Sequence, residues 1–78
     1  MYRVEGYDKD NGVYVKYWEG ENLDKAKEIA KILDNIAIKD ELIRYSSSKK
    51  FGVEKEPIDW VQVTDERDEM IYLPERNI

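Results

Sequence analysis

Residues 22–37 of the chain, NLDKAKEIAKILDNIA, decide how everything else must be arranged. At about 100° per residue, Leu33, Ala26, Ala37, Ala30, Ile29, Ile36, Leu23 and Ile32 fill one half of a helical wheel. Lys27, Glu28, Lys31, Asp34, Asn35 and Asp24 fill the other half, and Lys25 falls at the margin, where its stem can lie along apolar surface. The pattern predicts an amphipathic helix with Leu33 at its buried centre. Asn22 suits the N-cap, and Asp24 meets the positive end of the helix dipole. Glu21 with Lys25, and Lys31 with Asp34, stand at spacings that allow surface ion pairs. Such a helix is about 22 Å long, which matches strands of about six residues, so it can lie across a small sheet.

The first twenty residues supply strands for that sheet. Two alternating runs flank Asn11-Gly12, the strongest short hairpin signal. With those two as the loop, Asp8 faces Val15, Gly6 faces Tyr17 and Val4 faces Glu19. Val4, Val13, Val15 and Tyr17 then share the face turned to the helix, with the Tyr17 ring covering Gly6. Arg3, Glu5, Tyr7, Lys9, Tyr14, Lys16 and Trp18 share the other face. Residues 59–74 read as a second hairpin, Asp59–Thr64 with Glu69–Leu73, ended by Pro74. Pairing Val61 with Leu73 and Val63 with Ile71 leaves Glu66-Arg67-Asp68 as the loop, with Asp68 in the left-handed conformation and Trp60, Gln62, Thr64, Met70 and Tyr72 on the outer face. Between helix and second hairpin, residues 40–51 read as a short second helix with acids at its start, Lys49 and Lys50 in its last turn and Gly52 after it, while 52–57 read as a connection. The thin apolar stripe and three consecutive serines weigh against that helix, and the other readings of 38–45 are a continuation of the first helix or a short strand, but the second helix is favoured.

The fold expected is α+β in two layers: an antiparallel sheet of two β-hairpins with one main helix, with or without a second short one, on one face, in the order β-β-α-(α)-β-β. The 78 residues make a single domain, 1–78, in which most large apolar side chains serve one core. There is no Cys, which excludes disulfides and thiolate metal sites, and no His. Neither a signal core nor an apolar run of membrane-spanning length occurs, so a cytoplasmic location is the expectation. The net charge of −5 disfavours nonspecific binding to nucleic acid or anionic membranes. It is concentrated in residues 59–78, where Asp59, Asp65, Glu66, Asp68, Glu69 and Glu75 stand against Arg67 and Arg76, a net −4. The wealth of Ile, Lys, Asn, Glu and Tyr suits an AT-rich bacterial or phage genome.

The sequence holds no catalytic constellation. Without His or Cys the usual nucleophile–base pairs are absent, and the Ser46–Lys50 segment lacks an apolar setting to desolvate a lysine. Its eighteen acids single out no acid–base pair, and its four glycines form no phosphate loop. Asp8 to Glu19 has superficial calcium-loop spacing, but its glycine falls one place early and Val13–Tyr17 alternates as a strand. The expectation is therefore no enzyme, no cofactor and no metal. What remains is the outer sheet face, with Tyr7, Tyr14, Lys16, Trp18, Trp60 and Tyr72 as a candidate interface. The function expected is a non-enzymatic interaction module that binds a protein partner or itself through those aromatics. The alternatives are an acidic inhibitor or nucleic-acid mimic of a phage or mobile element that occupies a basic site, and, less in keeping with the charge, a single-stranded nucleic-acid binder.

Overall fold

The computed structural model describes residues 1–49 and 52–76. In chain order the elements are β1 (Tyr2–Asp8), β2 (Val13–Gly20), α1 (Leu23–Ile38), β3 (Ile43–Lys49), β4 (Gly52–Pro57), β5 (Trp60–Thr64) and β6 (Met70–Tyr72). A four-stranded antiparallel sheet in the order β2-β1-β5-β6 joins the two hairpins through β1 and β5, and α1 lies on one of its faces. The α+β architecture read from the sequence is the one the chain adopts.

Helix α1 begins where expected: the Asn22 side chain accepts from the Lys25 N–H at 3.1 Å. Its buried face is different. Ala26, Ala30, Asp34 and Ala37 are buried, Leu33 only half so, and Ile32 is 56% exposed. The helix is thus turned by about 50° from the centre of its apolar half. Small side chains permit the closest approach to the sheet, so the alanine stripe becomes the line of contact, and the bulky aliphatics flank it.

At its C-terminus the helix stops without glycine. Asp40 adopts a left-handed φ of 55°, its N–H donates to Ala37 O (3.0 Å), and the Glu41 N–H donates to Ile36 O (3.1 Å). This is the Schellman arrangement, with Asp where Gly is usual. Asp40 is therefore a terminator and not the start of a second helix. That expected helix is replaced by strand β3, and the connection at 52–57 is strand β4; Lys50 and Phe51, at the end of the expected helix, lie outside the described residues. Strands β3 and β4 form a separate two-stranded sheet. Its root is held by Ile58 N–H to Leu42 O (2.9 Å), by Arg44 on Asp8 (3.1 Å) and by Asn11 Nδ2 on Glu56 (3.0 Å).

Both registers in the main sheet depart from expectation. Four residues, 9–12, connect β1 to β2, with Gly12 at φ +63°. Asp8 faces Val13 and Gly6 faces Val15, a shift of two that leaves each side chain on its expected face but exposes Val13. The Asp8 carboxylate shapes this loop by accepting the N–H groups of Asp10 and Asn11 (3.1 and 3.3 Å) and Asn11 Nδ2 (2.8 Å). Burial raises the Asp8 pKa, but the bonds from Asn11 and Arg44 outweigh it and hold the carboxyl below its ordinary range. Farther along, a bulge between Val4 and Glu5 on one side and Lys16 and Trp18 on the other leaves Tyr17 as the extra residue. The Tyr17 ring still covers Gly6, where a Cβ would sit 2.6 Å from Tyr17 Cε2 and 2.8 Å from Ile58 Cγ2. In the second hairpin Thr64 faces Met70 and Asp68 is left-handed (φ 62°), both as expected. A bulge then moves Tyr72 opposite Val63.

Candidate interaction surface

A one-residue bulge reverses the facing of every residue beyond it. Trp18 consequently shares a face with Val4 and packs on the core; its ring lies over Gly20, where a Cβ would be 2.6 Å from Trp18 Cζ2. Tyr72, opposite Val63, also packs on the core, with Lys27 Nζ 5.4 Å from its ring centre. Trp18 and Tyr72 therefore leave the outer face on which they were expected. Tyr7, Tyr14, Lys16 and Trp60 remain on it.

Across strands, the pairings arrange that face in rows. Tyr14, Tyr7 and Trp60 form the first, Lys16, Glu5 and Gln62 the second, and Glu19, Arg3, Thr64 and Met70 the third. The first row is continuous: Tyr7 lies 4.6 Å from Tyr14 and 4.6 Å from Trp60, centroid to centroid. Tilts of 35° and 47° suit the quadrupoles of neighbouring rings. Tyr14 is 54% exposed, while Tyr7 and Trp60 are half-buried. The other rows are mostly polar, with Met70 at the end of the third. Trp60 Nε1 donates to Gln62 Oε1 (3.0 Å) and Gln62 Nε2 to Thr64 Oγ1 (3.2 Å), so β5 carries its own side-chain ladder. Lys16 reaches Glu19 at 3.8 Å, and Arg3 is bonded to Asp68, which holds its guanidinium above the ordinary range.

Leu73, assigned to the helix side by the sequence register, lines grooves on both sides of this edge. It is 50% exposed and lines, with Trp60, Pro74 and Arg76, a shallow groove of about 350 Å³ at the end of β5. A larger groove, about 710 Å³, runs on the helix side between α1 and residues 72–75, with Lys31, Asp34, Asn35, Lys39 and Glu75 as its polar lining. The groove beside Trp60 depends on a polar cluster that the sequence did not reveal. Asp34, 2% exposed, accepts the Val61 N–H at 3.0 Å and both Arg76 Nε and Nη2 at 3.0 and 2.8 Å. Arg76 Nη2 also donates to the Asp59 carbonyl. The bonds to Asp34 hold the Arg76 guanidinium above its ordinary range, against the opposing effect of burial. Lys31, the expected partner of Asp34, is exposed.

Among the described residues no three acidic groups converge so as to hold a metal ion, and no helix is long and apolar enough to cross a membrane. No protein-family model matches the chain, and no curated protein or solved structure matches it either.

Proposed function

We propose that the chain is a non-enzymatic interaction module of the cytoplasm that binds a protein through the row Tyr14, Tyr7 and Trp60, together with Leu73 in the groove beside Trp60. The observation that supports this is the continuity of three rings at 4.6 Å spacing on the sheet face opposite the helix. Rigid aromatics on a strand scaffold offer large contact area at small entropic cost, and such anchors dominate interface energetics. The acidic-inhibitor reading has less support, because several acids are already engaged: Asp8 by Arg44, Asp34 by Arg76, Asp68 by Arg3 and Asp65 by the N–H groups of its own turn.

The test is capture of a partner from a lysate of the native host at low and high salt, comparing the wild type with Tyr14→Ser/Trp60→Ser. Both side chains point away from the helix, so the variant should stay folded by circular dichroism. An aromatic interface predicts a partner that survives high salt and is lost by the variant. A partner that washes off with salt and ignores the substitutions would favour the acidic reading instead.

A further inference from the structure

β6 is too short to cover β5. Its last paired residue, Tyr72, lies opposite Val63, so among the described residues Trp60 and Val61 have no strand beside them on that side. Asp59 lies just before β5 and turns its own N–H to the Tyr7 carbonyl on β1 (2.8 Å), but its carbonyl and the Val61 N–H both face the uncovered edge, where a strand would accept the Val61 N–H and donate to the Asp59 carbonyl. Both groups are satisfied, but by side chains. Asp34 Oδ1 takes the Val61 N–H, Arg76 Nη2 donates to the Asp59 carbonyl, and the two side chains bond to each other. The ion pair therefore reproduces the acceptor and donor of a missing ladder rung.

We propose that the Asp34–Arg76 pair is a plug on a latent strand-docking edge, and that the partner this edge takes when the plug opens is the same edge of a second copy. The self-complementarity follows from the geometry. In an antiparallel pairing about a two-fold axis at Trp60, the Val61 N–H of each copy meets the Asp59 carbonyl of the other, and the two Trp60 rings face one another across the seam. Both β5 strands would then lie at the centre of one continuous sheet, each β6 staying paired with the far end of its own β5 on the same edge, and the row Tyr14, Tyr7 and Trp60 would continue into its symmetry mate. Opening requires residues 73–76 to swing aside, and Arg76 is what anchors them. An edge guarded by charged side chains is a known defence against such pairing. The proposal does not rest on the partner-binding reading above, because it is carried by backbone groups of β5.

The experiment is sedimentation equilibrium of the full chain as wild type, Asp34→Ala/Arg76→Ala, and Asp34→Asn/Arg76→Gln. The wild type should be monomeric. The alanine pair, which leaves no stranded charge, should dimerise at least about tenfold more tightly than the wild type. The amide pair should fall between them, and carries the test should the alanine pair not fold. Adding Trp60→Arg, which sets two cations against each other at the seam, should return either variant to monomer without unfolding it. A folded variant that stays monomeric would overturn the proposal, as would a dimer that survives Trp60→Arg.

Discussion

If Asp34 and Arg76 act as a unit, their removal must be strongly non-additive in stability. Arg76→Ala leaves a carboxylate that is 2% exposed with one remaining donor, the Val61 N–H. Breaking a buried pair in this way costs about 3–5 kcal/mol. Because the Arg76 side chain is 32% exposed, water can enter the vacated place, so the cost here is about 2–3 kcal/mol. Asp34→Ala strands the Val61 N–H, a loss of about 2 kcal/mol, while Arg76 returns to solvent. The double variant has the unsatisfied N–H but no buried charge, and should also lose about 2 kcal/mol. The coupling is then about 2 kcal/mol, and Asp34→Asn, which keeps the acceptor for Val61, should lose about 1 kcal/mol. Urea unfolding of the four species of the cycle, at protein concentrations where all are monomeric, measures these values. Losses that add to within about 0.5 kcal/mol would refute the reasoning, since independent sites behave so.

Ala30 is fully buried on the helix–sheet contact line, so Ala30→Leu should cost about 1–3 kcal/mol by overpacking, while Ile32→Ala at an exposed position should cost under about 0.5 kcal/mol in the same assay. The buried Tyr17 hydroxyl has no hydrogen-bond partner among the described residues, so Tyr17→Phe should stabilise by about 1 kcal/mol near neutral pH. Burial also raises the Tyr17 pKa; a raised folded value contributes stability that is whole below the ordinary value of about 10 and is lost as pH climbs through the folded one, so the variant should resist alkaline unfolding better. Asp8 behaves oppositely: its lowered pKa contributes stability that is whole above the ordinary value of about 3.9 and is lost as pH falls through the folded one, so Asp8→Asn should flatten the acid limb of a pH–stability profile measured by urea midpoints.

The elements most legible in the sequence are those fixed by local chemistry. Asn22 caps the helix, Gly12 and Asp68 turn left-handed at the hairpin loops, and the two hairpins lie in one sheet with the helix on one side. The segment after the helix is not legible because its terminator is an aspartate. Asp40 has the acidic side chain of a helix start but the backbone of a helix stop, and only the positive φ distinguishes them. The rotation of α1 was hidden for a related reason: a wheel weights residues by hydrophobicity, whereas contact with a sheet is decided by how near the backbone can come. Ala26, Ala30 and Ala37 decide that distance, and Asp34 can sit inside their stripe because Val61 and Arg76 satisfy it there.

The candidate surface failed at two residues for a single physical reason. Alternation assigns faces correctly only while pairing continues without interruption, and one bulge in each hairpin breaks it, at Tyr17 and before Tyr72. Each bulge carries an aromatic residue from the outer face to the helix face, where it covers core that the alanine-rich helix alone leaves open. The glycines carried a usable signal. Gly6 and Gly20 occupy the helix face of β1 and β2, and each is glycine because an aromatic ring lies where its Cβ would be, Tyr17 at one and Trp18 at the other. Two glycines at such positions, with Tyr17 and Trp18 adjacent in sequence, require consecutive residues to point to the same side. A regular strand cannot do that, so the bulge is implied by the rings it serves. The same argument isolates Tyr7, Tyr14 and Trp60: they sit where the pairing across β2, β1 and β5 is unbroken, and no glycine opposite them offers a place on the core side. Their position on the open face follows from regular pairing alone, which is why that row kept its place when Trp18 and Tyr72 did not.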